Sequence, residues 1–239
     1  MQPTMITRIE ELQLNLGNAG ERRPMLHILN GQAMADQFAA HSLRIPQHDY
    51  APFNEAMCAN ETCDAIFSDA FIRLRAAGHG VSMQDYDQMT IQPMKPLFEG
   101  KHDCIVLWFG DDMFCQMNML TVLAYLQQTN YKGSLIFHQV NEQTGEIAVT
   151  DLPSDDYDLL YRQVLVQHAS PATPSLPILR KGIELYLEYK KPENEITAFI
   201  KDNEKLSHNA LMKCLFRRFP HYGLGDTQYV AIMEAIIQS

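Results

Sequence analysis

The chain contains no apolar run of about 18 residues free of polar groups, the length needed to cross a bilayer. Its closest approach, residues 104–126, is interrupted by Asp111, Asp112, Gln116 and Asn118. The N-terminal stretch MQPTMITRIEEL lacks a basic segment followed by an apolar one, so the marks of a secretory signal are missing and a cytoplasmic location is expected. Cysteine is scarce. Five are present, an odd number whose spacings outline no disulfide framework, which points to reduced thiols. Cys58 and Cys63 have no second thiol or His pair at zinc spacing. Positive charge is short as well: the net charge is −10, and residues 171–239 hold 9 Lys and Arg against 8 Asp and Glu, which leaves an acidic remainder. That balance argues against a large nucleic-acid footprint. Lys213, Arg217 and Arg218 offer only a small basic patch at helical spacing. Finally, there is no GxxxxGK[ST], no GxGxxG after a strand, no HExxH and no GxSxG, and no internal repeat.

What is present reads as an α/β chain in three parts. Residues 1–24 form an N-terminal amphipathic arm, with Ile6, Ile9, Leu12 and Leu16 at helical spacing and a break at GNAGERRP. A helix this short must dock on something, either its own domain (the favoured choice) or a second subunit, which would make a homodimer through residues 1–24. Residues 25–150 read as an α/β domain with a small, mainly parallel, three-layer sheet of Rossmann-like kind. Its strands are expected at 25–30, 104–109 and 134–139, with an edge strand at 146–150; its helices are expected at about 32–41, 64–77 and 112–127. IPQHDYAPF, punctuated by Pro46 and Pro52, is expected to be irregular, and a helix beginning near 83 is broken by Pro93 and Pro96. Residues 151–239 read as a helical subdomain with segments at 155–167, 176–190, 193–202, 207–219 and 226–237. Pro171, Pro174 and Pro177 mark a linker within it.

Candidate chemistry gathers where strands end. In open α/β sheets, ligands bind outside the carboxyl ends of the strands. Asn30, Gly31 and Gln32 follow the first strand and lead into a helix N-terminus, a place favourable to anions. Asp111 and Asp112 follow the second strong strand, either as Mg²⁺ or general-base carboxylates or with Asp112 simply capping the next helix. Cys115 lies in that helix's first turn, where a thiol becomes nucleophilic if its pKa is depressed, although most such cysteines are small core residues. Gln116 and Asn118 sit in a helix apolar around most of its circumference and so must find partners, from backbone or from a ligand. Glu55, in PFNEAMC, is set to pair with a cation or polar ligand. His27 and His138 lie on strands, more in the manner of core histidines than of catalysts.

MLHILNG, PFNEAMC and LWFGDDMFCQMNMLTVL together resemble the bacterial family known only as domain of unknown function eighteen thirty-five. His27, Asn30, Gly31, Glu55, Cys58, Trp108, Phe109, Asp112, Phe114, Cys115 and Gln116 match its motifs, and Gly223-Leu224 with Gln228 fits its C-terminal turn. The chain departs at Gln32, Asn60 and Gly110-Asp111, where the family usually has Asp, Gly and Glu-His. The resemblance covers about residues 25–237 and implies a fold but no established reaction. Some relatives carry labels as AraC-type regulators, yet no paired helix-turn-helix pattern occurs here. The expected site is therefore a crevice of Asn30, Gly31, Gln32, Glu55, Asp111, Asp112, Cys115, Gln116 and His138. Its expected occupant is a small polar or anionic molecule, nucleotide-like in one version, with Mg²⁺ as the candidate cofactor. The alternatives are a regulatory or protein-interaction module built on the C-terminal helices, and a metal-assisted hydrolase or transferase using Asp112, Cys115 or Glu55.

Overall fold

The computed structural model describes residues 4–18, 24–141, 144–153, 156–171 and 176–237. The break expected at 17–24 and the linker around Pro171, Pro174 and Pro177 fall largely on residues 19–23 and 172–175, outside the described residues. In chain order the first half runs α1 (Met5–Asn18), β1 (Leu26–Leu29), α2 (Gln32–Ala40), β2 (Asp49–Pro52), α3 (Asp69–Gly78), α4 (Met83–Tyr86), α5 (Lys95–Phe98), β3 (Cys104–Gly110) and α6 (Met113–Gln128). It continues with β4 (Ser134–Asn141), β5 (Glu146–Asp151), α7 (Tyr157–Tyr161), α8 (Pro177–Tyr189), α9 (Glu195–Asp202), α10 (His208–Arg218) and α11 (Asp226–Ile237). Single π turns extend α4 through Ile91 and α7 through Val166.

The sheet has the order β2-β1-β3-β4-β5, parallel throughout except for β5, which runs antiparallel to β4 at the edge. Alternation along each strand assigns its side chains to layers. On β3, Cys104, Val106 and Trp108 face one layer while Ile105, Leu107 and Phe109 face the other. All of β3 is buried, as a central parallel strand covered on both faces should be. One layer is thin, made of α1 and α2, with Ile9, Met34 and Phe38 packed on Leu29 and Trp108. The other is thick. There α6 lies against the sheet and is covered in turn by the C-terminal helices, which share its core through Leu160, Leu179, Ile183 and Leu215. This double coverage is why α6 is apolar nearly all round.

Two expectations fail. The helix expected from about 64 begins only at Asp69, where the Ser68 side chain caps it by accepting from the Phe71 N–H. IPQHDYAPF is not irregular throughout, because it contains β2, paired in parallel with β1 from Asp49 against Leu26 to Pro52 against Leu29. Proline is tolerated because β2 is an edge strand and Pro52 is its last residue, where no further ladder bond is needed. The arm takes the first of its two options: Ile9 is 2% exposed against the chain's own sheet, and the Tyr50 hydroxyl donates to Gln13 at 3.2 Å. The apolar face offered to a second subunit is thus occupied within the chain.

Candidate functional site

The carboxyl ends of β1 and β2 lie side by side and open into a cleft of about 460 Å³. Its floor is built by two short turns. After β1, the Gly31 N–H donates back to the Leu29 carbonyl at 2.8 Å, and Gly31 takes φ +83°, a conformation that favours glycine. This turn feeds α2, whose N-cap, Gly31, provides no side-chain acceptor for the first-turn N–H groups. After β2, Asn54 and Glu55 line the opposite side, with Thr90 and Met89 above them and Phe114, at the start of α6, closing the end next to β3. The cleft therefore reaches the point between β1 and β3 where strand order reverses, the usual ligand position of open α/β sheets.

Two carboxamides of this floor are half-satisfied. Asn30 donates from Nδ2 to Cys115 Sγ at 2.9 Å and Asn54 donates from Nδ2 to the Met89 carbonyl at 2.8 Å. Each Oδ1 is buried without a hydrogen-bond partner. An unmet buried acceptor costs on the order of 1–3 kcal/mol, so two in one cleft require a cause.

Behind the wall lies a network that the sequence did not disclose. The Glu55 carboxylate accepts from Arg75 Nε (2.9 Å) and Nη2 (2.5 Å), from the Tyr86 hydroxyl (2.6 Å), from its neighbour Ala56 N–H (2.7 Å) and from His79 Nε2 (3.1 Å). Arg75 spends its remaining donors on the carbonyls of Ala56, Ala59 and Glu61. Burial by itself would raise the Glu55 carboxyl, but the hydrogen bonds of His79 and Arg75 outweigh it and hold the group well below the usual carboxylate range. Glu55 is thus a fixed anion that holds the PFNEAMC loop, already saturated with donors. The expectation that it pairs with a cation is met by Arg75, from α3. Glu55, Tyr86 and His79 carry this network to the cleft wall, and of Glu55 and His79 it is His79, its side chain 28% exposed, that is open to solvent.

The structure splits the predicted constellation. Asn30, Gly31, Gln32 and Glu55 come together in the cleft. Asp111, Asp112, Cys115 and Gln116 do not line it. Asp112 caps α6, accepting from the Cys115 N–H at 2.8 Å, and it is packed so tightly beneath Gly223 that a Cβ there would collide with it. Burial raises the Asp112 carboxyl, against the opposing hydrogen bonds from Cys115. Asp111 is exposed. The pair is therefore one cap and one surface carboxylate, short of the two-carboxylate site the Mg²⁺ reading uses. Among the described residues no three His, Cys, Asp or Glu side chains converge as metal ligands.

Cys115 is 6% exposed, with Asp112 and Asn30 around its sulfur rather than a cation, the neighbour that activates a thiol. Gln116 is fully buried between sheet and α8, donating to the Gly110 carbonyl at 2.5 Å. Asn118 finds backbone at both ends of its amide, accepting from Met57 N–H at 2.9 Å and donating to the Glu55 carbonyl at 2.7 Å. His138 lies mid-strand on β4 beneath the thin layer, its ring edge-on to Trp108 at 4.1 Å, and takes no part in the cleft. The sequence pattern ends β4 at residue 139 and so puts His138 near the sheet's carboxyl edge; the strand runs on to Asn141, which leaves His138 inside the ladder.

The residues that sequence reading missed are Asn54, Arg75, His79 and Tyr86, and Phe114, a motif match, was left out of the expected site. Phe114 and Asn54 each adjoin a residue that was singled out, so a reading of whole turns would have found them. Arg75 and His79 gave no signal, because an α3 pattern shows them as one polar helix face. No helix of the described residues is long and apolar enough to cross a membrane. No family model, no curated protein and no solved structure matches this chain, so the likeness to domain of unknown function eighteen thirty-five rests on its motifs alone.

Proposed function

We propose that this protein binds a small polar or singly anionic molecule in the cleft between the β1–α2 and β2–α3 connections. The observation that carries the reading is the pair of buried, unpartnered carboxamide oxygens, Asn30 Oδ1 and Asn54 Oδ1, beside an α2 N-terminus that no side chain caps. Buried polar groups call for a partner, which a ligand supplies where they border an open cleft, and first-turn N–H groups add a favourable place for one negative charge. The terminal torsion of an Asn is soft, so a small turn of each amide presents its oxygen to an occupant. The regulatory reading on the C-terminal helices, and the hydrolase or transferase reading on Asp112 or Cys115, have less support, since those side chains are committed to capping and packing.

The test is a thermal-shift screen of the full chain against nucleosides, nucleotides, sugar phosphates and small carboxylates, repeated on Ala33→Trp. Ala33 is exposed at the cleft rim, so the indole fills the cleft without entering the core. A ligand at 100 times its Kd adds about 2.7 kcal/mol, which moves the midpoint of a protein this size by several degrees. A shift that Ala33→Trp abolishes supports the site. The absence of any shift across the panel sinks it.

A further inference from the structure

Resting on that reading of the cleft, we infer the chemical class of its occupant: a planar heterocycle whose edge carries N–H donors, with at most one negative charge, as in a nucleobase or uncharged nucleoside rather than a sugar phosphate or a nucleoside triphosphate. Three features of the cleft act together.

The first is hydrogen-bond polarity. One Nδ2 hydrogen of each floor carboxamide is committed, Asn30's to Cys115 and Asn54's to Met89, and the atom left without any partner on each is the oxygen, an acceptor. Glu55 is an acceptor whose capacity is filled from within the chain. An occupant that meets these two oxygens must donate to them. A phosphate or carboxylate at physiological pH only accepts, and it would leave both oxygens unmet.

The second is charge. Among the described residues no Lys or Arg lines the cleft, and the guanidinium behind it, Arg75, is fully buried and spent on Glu55 and three carbonyls. Phosphate chains are bound by cations and bidentate guanidinium groups. The uncapped start of α2, equivalent to about half a charge, supports one anionic group and no more.

The third is shape. Ala33, Val81, Met89 and Phe114 give the cleft apolar surface beside the carboxamides of Asn30 and Asn54. A flat ring places an apolar face against such a surface and a polar edge against the carboxamides, whereas a sugar phosphate is polar on every side.

The measurement is isothermal titration of the full-length protein with guanine, adenosine and guanosine, with the N-methylated analogues that lack the edge donors, and with guanosine triphosphate and glucose 6-phosphate. Each is repeated on Asn54→Ala, Asn30→Ala and Ala33→Trp. A free base or nucleoside is expected to bind. Loss of its edge N–H groups, or of either carboxamide, is expected to weaken binding roughly ten-fold to a hundred-fold, as for a donor–acceptor pair left half unmet. Should one Asn variant fail to fold, the methylated ligands on the unaltered chain give the same comparison. Glucose 6-phosphate or the triphosphate binding as tightly as the nucleoside, and being lost in Ala33→Trp, overturns the ligand class and leaves the site standing. Binding that Ala33→Trp does not touch, or no binding at all, overturns the site itself.

Discussion

Glu55 and Arg75 show how a charge is kept inside this protein. Both side chains are fully buried, and each is intelligible only through the other. Removing one partner of such a pair strands the other in a low-dielectric interior, at a cost of about 3–5 kcal/mol. Arg75→Met is therefore expected to lower the free energy of unfolding by that margin, read as a lower urea midpoint at an unchanged m-value, and a loss below about 1 kcal/mol would show that water already reaches the pair. Asp112 runs the other way. Its carboxyl is raised by burial, so its charged form is disfavoured in the fold. A raised native pKa leaves a carboxyl's contribution intact below the unfolded value near 3.9 and removes it as pH rises through the native one. Asn caps a helix about as well as Asp and carries no charge. Asp112→Asn is thus expected to be equally or more stable at pH 7, with the gain vanishing near pH 3, while Asp112→Ala loses about 1 kcal/mol with the cap. A destabilised Asn variant at pH 7 would mean that the Asp112 charge has a partner which capping does not explain.

Elements fit together here through glycines placed where helices meet. A Cβ on Gly182 of α8 would lie 2.6 Å from the Gln116 Cβ on α6, closer than two carbon atoms tolerate. Overpacking of this kind costs about 1–3 kcal/mol. Gly182→Ala is expected to lower the thermal midpoint by several degrees, and an unchanged midpoint would show that α8 slides freely over α6. The same scale shows what a reader of the sequence can see. β3, α6 and the amphipathic α8 to α11 were legible because periodicity is local; Ser207 precedes α10 without a side-chain cap bond and Asp226 is the first residue of α11, while the cap that does form, Asn194 on α9, follows the break at Pro192. β2 was not legible, since its strand character comes from pairing with β1 more than 20 residues earlier and two prolines mask it. The π turns after α4 and α7 leave no pattern either. Of the candidate site, the β1–α2 turn was visible, because Asn-Gly announces its own backbone. The Glu55 network was not: it joins residues 20 to 31 apart, which only the folded chain brings into contact.

At the scale of the whole molecule, the thin layer concentrates imidazoles. Trp108 Nε1–H donates to His27 Nδ1 at 3.1 Å, so the His27 proton sits on Nε2, from which it reaches His48 Nδ1 at 3.0 Å. Both rings are therefore neutral in this arrangement. Burial, and then His48 beside it, holds His27 well below its ordinary pKa; burial also lowers His48, and it carries His138 down to about 4. The unfolded chain takes up these protons near pH 6.5 and the native chain does not, so stability is present above that pH and falls as pH drops toward 4. Glu55 and Asp49, both depressed, extend the same slope at lower pH: burial opposes the shift in each, and hydrogen bonds from His79 and Arg75 or from His102 and Lys101 override it. His138 alone is worth on the order of 2 kcal/mol between pH 6.5 and 5. Because α1 and α2 cover this face, the loss should appear first as exchange of their amides. Urea unfolding at pH 7.5, 6 and 5 is expected to show a falling midpoint, and His138→Phe, which keeps an aromatic ring against Trp108, is expected to flatten the curve. If the two chains lose stability in parallel as the pH falls, His138 is not among the groups that carry the acid response, and the slope belongs to His27 and His48 instead.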